Sequence, residues 1–132
     1  MNVEYRDSQE FSSEQLQELF ESVEWLVGKY PEKLIIAMKN SGTVFSAWDD
    51  GKLVGLINAM DDGILNAYVH YLLVNPKYQG KGIGKELMRM MKEKYKDYRR
   101  IVLISYNKQV GFYQNSGLVA SDESTAMFLD SF

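Results

Sequence analysis

The chain has 132 residues, 45% hydrophobic and 25% charged, which fits one globular domain over residues 1–132 and excludes a disordered or collagen-like chain. Fifteen Lys and Arg against 18 Asp and Glu leave a net charge of −3, which speaks against nonspecific nucleic-acid binding; no cysteine is available for disulfides or thiolate chemistry, and a single histidine, His70, excludes sites that need two. No hydrophobic run is long enough for a membrane span and the N-terminal ten residues are too polar for a signal peptide, so the expected compartment is the cytoplasm, with no membrane partner.

In chain order, residues 3–6 read as a short strand. Ser12-Ser13-Glu14-Gln15 is a capping box, and Leu16, Leu19, Phe20 and Val23 follow at helical spacing. Gly28 breaks that pattern. Pro31 suits the first turn of a second helix, whose inward stripe is Leu34, Ile35 and Met38 and whose end falls at residues 40–42. Strands at 43–48 and 53–60 flank an Asp-Gly hairpin turn, and a second Asp-Gly turn leads into residues 64–74, too long and apolar for an exposed edge and therefore read as a central strand. After a glycine-rich loop, Ile83, Leu87, Met90 and Met91 mark an amphipathic helix ending near Lys96, and residues 101–105 form a short buried strand. A helix between two strands makes that pair parallel. Residues 109–115 are predicted as a helix closed by Gly117, with strands at 118–120 and 126–129 to finish. The fold class is α+β with a mixed, mostly antiparallel sheet flanked by helices.

The informative stretch runs from Val74 to Leu87, where three alternating glycines, Gly80, Gly82 and Gly84, carry the chain from a buried strand into a helix. Backbone without Cβ atoms lets a ligand approach, and the free amides and dipole of a helix start attract an anion such as phosphate. Lys77, Lys81 and Lys85 crowd a helix start that otherwise prefers acids, each at a cost of about 0.3–1 kcal/mol unless an anion is bound. The bland alternative is a tight turn solvated by lysines. A Walker loop would need glycine at 79 and Ser or Thr at 86, where Gln79 and Glu86 stand; a dinucleotide fingerprint would need glycine at 85 and no preceding meander.

Gln79-Gly80-Lys81-Gly82-Ile83-Gly84 instead matches Q/R-x-x-G-x-G/A, the acetyl-coenzyme A signature of the GNAT N-acetyltransferases, and the order of elements over the whole chain resembles that fold. Phe112-Tyr113-Gln114-Asn115-Ser116-Gly117-Leu118 resembles the family's second motif, F-Y-x-x-x-G-F, with Leu118 for the last aromatic. Within the family the chain looks closest to the small-amine branch that includes arylalkylamine-type enzymes. Gln109 stands where a small apolar residue is usual, and Asn107 is one position from the family's common asparagine.

The resemblance implies acetyl-CoA as cosubstrate, with the amides of residues 79–84 and Lys85 on its pyrophosphate, Asn107 and Tyr113 also in contact, and its pantetheine arm along Leu72, Leu73 and Val74. It also implies a splayed parallel strand pair, with a bulge near residues 72–74. Tyr113 is the expected proton donor to the departing thiolate, since a phenol with pKa near 10 can protonate a more acidic thiol's anion. An alkylammonium acceptor must lose a proton first; His70 is the expected base, directly or through water, and Tyr68, two residues away on the same strand face, lines the same path. Trp25, Tyr30, Phe45 and Trp48 are candidates for an acceptor wall, and Glu24, Asp61 and Asp62 for attracting a cation. The function expected is acetylation of a small-molecule primary amine by direct attack; acetylation of a protein N-terminus or lysine, and a CoA-binding sensor without catalysis, are the alternatives. A homodimer through the apolar residues 125–132 is expected as well.

Overall fold

The computed structural model describes residues 2–132. Five strands, β1 (Val3–Asp7), β2 (Thr43–Asp49), β3 (Lys52–Asp61), β4 (Asn66–Val74) and β5 (Arg100–Leu103), form one sheet in the order β1-β2-β3-β4-β5. The first four are antiparallel to their neighbours, and β4 and β5 run parallel, as a crossover helix requires. The helices are α1 (Ser13–Ser22), α2 (Pro31–Asn40), α3 (Ile83–Lys94) and α4 (Val110–Asn115). None is long and apolar enough to cross a membrane.

Local chemistry sets most of these bounds. Ser12 and Gln15 exchange side-chain and backbone hydrogen bonds at 3.2 and 2.9 Å, the expected capping box. Pro31 is the first residue of α2. Asp50 and Gly51 both take positive φ, which is what a two-residue hairpin between β2 and β3 demands. The sheet then separates two cores. On one face, Leu16, Leu19, Phe20, Leu34 and Met38 of α1 and α2 pack against β2, β3 and Leu73. On the other, Ile83, Leu87, Met88 and Met91 of α3 pack against β2, β3, Ala67 and Val69.

Three expectations need correction. β4 starts at Asn66, not 64, because the Asp62 carboxylate accepts the amides of Ile64, Leu65 and Asn66 at 2.7–3.0 Å and folds those residues into a turn. Those bonds hold the Asp62 carboxyl well below the usual carboxylate range. As expected, β4 is not an edge: it lies between β3 and β5. β5 stops at Leu103 rather than 105, since β4 offers no partner beyond Val69. The strands expected at 118–120 and 126–129 do not form; without a neighbour to complete a ladder, Val119, Met127 and Leu129 are 91%, 88% and 99% exposed. Only the last ring finds a place, Phe132 against Tyr30 at 5.2 Å.

Candidate active site

The site lies where β4 outruns β5. β4 pairs with β5 from Asn66 to Val69 and then continues to Val74 with no strand on that side, the splay expected for the parallel pair. α3 starts just beyond. Its N-cap is Gly82, with no side-chain cap, and both Gly80 and Gly82 hold left-handed backbone, φ 78° and 85°, with open space where a Cβ would project. Among the described residues the amides of residues 80–85 find no hydrogen-bond acceptor. Lys77, Lys81 and Lys85 make no ion pair among those residues either.

The cradle is held from behind. Gln79 Nε2 donates to the Val74 carbonyl at 2.9 Å, Asn75 Oδ1 accepts the Lys77 amide at 3.0 Å, and Tyr78 Oη donates to Asp49 at 2.8 Å. Ile83 is 2% exposed and Leu73 4%, so both can offer a ligand only backbone. A cleft of about 300 Å³ continues from Gly82 and Lys85 past Arg89 and Lys92 to Asn115 and Ser116. Arg89 is committed there to Glu86, and Lys92 donates to the Ser116 carbonyl at 2.6 Å, which closes the end of α4.

The bulge in β4 falls earlier than expected. Ile57 pairs with Leu72 and Ala59 with Val69, so one residue of β3, Asn58, faces two of β4, His70 and Tyr71. The extra residue resets the strand's alternation. Ala67 and Val69 face α3, and so do Leu72 and Val74, while Tyr71 and Leu73 pack with α1 and α2. Tyr68 and His70 do share a face, as expected, but the next residue on it is Tyr71 instead of Leu72. The His70 ring stacks on Tyr71 with centroids 4.2 Å apart and interplanar angle 15°, and lies 5.4 Å from Tyr68. Tyr71 in turn meets Phe20 at 5.1 Å and Trp25 at 5.8 Å. The result is an aromatic wall on the α1–α2 side. Partial burial lowers the pKa of His70 and raises those of Tyr68 and Tyr71, so near pH 7 His70 is neutral and able to accept a proton.

Tyr113 stands across the sheet. It is half-buried in α4 against the α3-side core, its hydroxyl has no partner among the described residues, and burial raises its pKa. Neighbouring Phe112 lies 3.5 Å from where a Cβ on Gly84 would sit, so α4 docks directly on the first turn of α3. Asn107 is exposed in the short 3-10 turn Asn107–Gln109.

Of the suggested acceptor wall, Trp25 joins the aromatic cluster, whereas Phe45 and Trp48 are core residues, 7% and 4% exposed. Asp61 and Asp62 are used structurally: Asp61 accepts from Tyr95 Oη at 2.6 Å, and Asp62 closes its turn. Strict alternation along β4 does not single out Tyr71 or Asn58; the one signal is a lone polar residue inside the apolar run of β3.

Residues 8–127 match the family described as "Acetyltransferase (GNAT) domain". The chain is 33% identical over 122 residues to "Histone acetyltransferase TAP1" of Glycine max, an alignment that covers 82% of this chain and 52% of that protein. It is 32% identical to an uncharacterised N-acetyltransferase, ycf52, of Gracilaria tenuistipitata var. liui, with 82% of this chain and 62% of that one covered. It therefore spans only about half to two-thirds of these relatives' lengths. Among solved structures, a GNAT-family acetyltransferase of Streptococcus pneumoniae superposes with a TM-score of 0.85 at 28% identity, covering 98% of both chains.

Proposed function

The chain belongs to the GNAT acetyltransferase family, and from that premise we propose that it moves the acetyl group of acetyl-CoA to a primary amine by direct attack in a ternary complex. The observation that carries this reading is the row of unpaired amides at residues 80–85, ending at an uncapped, glycine-started helix among three unpaired lysines. That donor set fits a pyrophosphate, and the open space in front of Gly80 and Gly82 leaves room for one. Acetyl-CoA brings the thioester; the protein's own residues do the rest. Backbone along residues 72–74, unpaired by β5, lies beside the cradle to receive an extended arm, although the Val74 carbonyl is already engaged by Gln79. His70 takes a proton from the incoming ammonium, directly or through water, and Tyr113 returns one to the departing sulfur from the opposite face of the sheet.

Melting curves test the cradle. Acetyl-CoA at about 100 times its dissociation constant stabilises a fold by roughly 2.7 kcal/mol, and the expected result is a rise of several degrees with acetyl-CoA and none with NADH or ATP. No shift at saturation, or an equal shift with ATP, removes the acetyl-CoA assignment.

The aromatic wall of Tyr68, His70, Tyr71 and Trp25 favours a small amine carrying an apolar or aromatic group, in keeping with the small-amine branch. Likeness to a protein named a histone acetyltransferase supports a second reading, a peptide amine. Rates on arylalkylamines against lysine-containing and N-terminal peptides separate the two. The exposed apolar tail and the open outer edge of β5 support pairing of two copies, and sedimentation showing only monomer at assay concentration removes that reading.

His70 also makes a pH prediction. Its folded pKa lies below 6.5, so the unfolded chain takes up the proton first, and stability is full above 6.5 and declines as pH falls from there towards the folded value. If His70 is the base, kcat/KM rises with an inflection below 6.5. His70→Gln is expected to abolish that inflection and flatten the stability slope in the same window. An unchanged acid limb assigns the proton to water alone.

A further inference from the structure

We infer that Asn58 is a positioning residue, whose side chain holds the Tyr71 amide and so fixes the bulge that turns His70 and Tyr71 to one face. The inference rests on the acetyl-transfer reading for its consequence in turnover, and on geometry alone for the rest. Asn58 is 2% exposed and is the one polar side chain in the buried run of β3 from Leu53 to Ala59. Directly opposite it, β4 carries one residue too many, which leaves an amide with no ladder partner. Asn58 Oδ1 accepts the Tyr71 N–H at 2.8 Å in place of a backbone carbonyl. Its Nδ2 donates to Ser41 Oγ at 3.1 Å, and Ser41 donates onward to the Ala37 carbonyl at 2.8 Å at the end of α2.

Both ends of the amide are therefore used, and neither could be replaced by a carbon without orphaning a buried partner. The physical alternative for β4 is regular alternation. A strand with no bulge would place Leu72 where Tyr71 now stacks on His70, and would put one of the two strand halves on the wrong core. Asn58 biases the strand against that slip. It touches none of the reacting groups; it acts through the placement of His70 and Tyr71.

Hydrogen exchange and titration of the imidazole test this without any ligand. His70 is the only histidine, so its ring signals need no assignment, and the titratable groups in ring contact with it are Tyr68 and Tyr71. In the unmodified protein the Tyr71 amide should be as protected as that of Leu73, which also points at β3. In Asn58→Ala its protection should fall at least tenfold relative to that of Leu73, and the His70 titration should move up towards its ordinary value. Turnover should drop at least fivefold while KM for acetyl-CoA stays within twofold. Thr43→Val, which removes a buried 2.7 Å hydrogen bond to Tyr95 on the other face, is the control for lost stability and should leave the Tyr71 amide and His70 as they were. A Tyr71 amide that exchanges freely in the unmodified protein overturns the inference, and that arm needs no variant to fold. So does an Asn58→Ala protein with unchanged exchange and titration. If no amine is ever acetylated, the function reading fails and these two readouts still decide the role of Asn58.

Discussion

Tyr113→Phe is expected to lower kcat by at least about tenfold, and up to the 10²–10⁴-fold range of lost general-acid catalysis, while acetyl-CoA binding stays close to that of the unmodified protein. The substitution removes one oxygen and keeps the ring that packs α4 against the α3-side core. Because that hydroxyl has no partner among the described residues, no buried acceptor is orphaned and the fold should be intact. Burial raises its pKa, so the phenol stays protonated throughout the assay range, as a proton donor must. Steady-state kinetics with a titration of acetyl-CoA by calorimetry checks both halves. Unchanged kcat removes Tyr113 from the chemistry, and a lost affinity would make it a binding residue instead. A sensor without catalysis would be indifferent to the change in both.

The second large effect is expected at Gly82. At φ 85° a β-branched residue is strained whatever the space, so Gly82→Val should cost about 1–3 kcal/mol of stability. Its Cβ meets nothing within 4 Å, which means the side chain enters the space the cradle leaves for an anion. Acetyl-CoA should then give no thermal shift even at saturation. Gly51→Val separates strain from blockade: Gly51 has φ 80° and equally open surroundings, but sits in the β2–β3 turn. That variant should melt lower by a similar margin and still shift with acetyl-CoA. A full ligand shift in folded Gly82→Val would place the pyrophosphate elsewhere.

Elements whose signals are local could be read from the sequence. Ser12 with Gln15, Pro31, and Asp50 with Gly51 each carry a conformational preference within four residues, and each sits where that preference places it. The glycine turn before α3 belongs to the same kind, because Gly80 and Gly82 take a left-handed backbone that other residues rarely adopt. What escaped depends on partners distant in the chain. Residues 66–74 contain no glycine or proline to mark a bulge, and the group that stabilises it, Asn58, is 13 residues from Tyr71 on another strand. Apolar residues in 118–129 suggested strands, but a strand exists only with a neighbour, and β5 ends before it can provide one. The boundaries of β4 and β5 shifted for related reasons, one to the Asp62 carboxylate and one to the divergence of the parallel pair.

α3 is seated on the sheet over Gly55. A Cβ on Gly55 would stand 3.0 Å from Ile83 Cγ2 and 3.3 Å from Leu87 Cδ1, so the helix rests on bare backbone at the centre of β3. Its 12 residues make a lever about 18 Å long at 1.5 Å per residue. Raising the first turn by about half an ångström tilts that lever by less than about 2°, a change the core absorbs easily but one comparable to the whole span over which an N–H···O bond is good. The height of the first turn of α3 above the sheet is thus set from inside the protein, by the methyl group that Gly55 lacks.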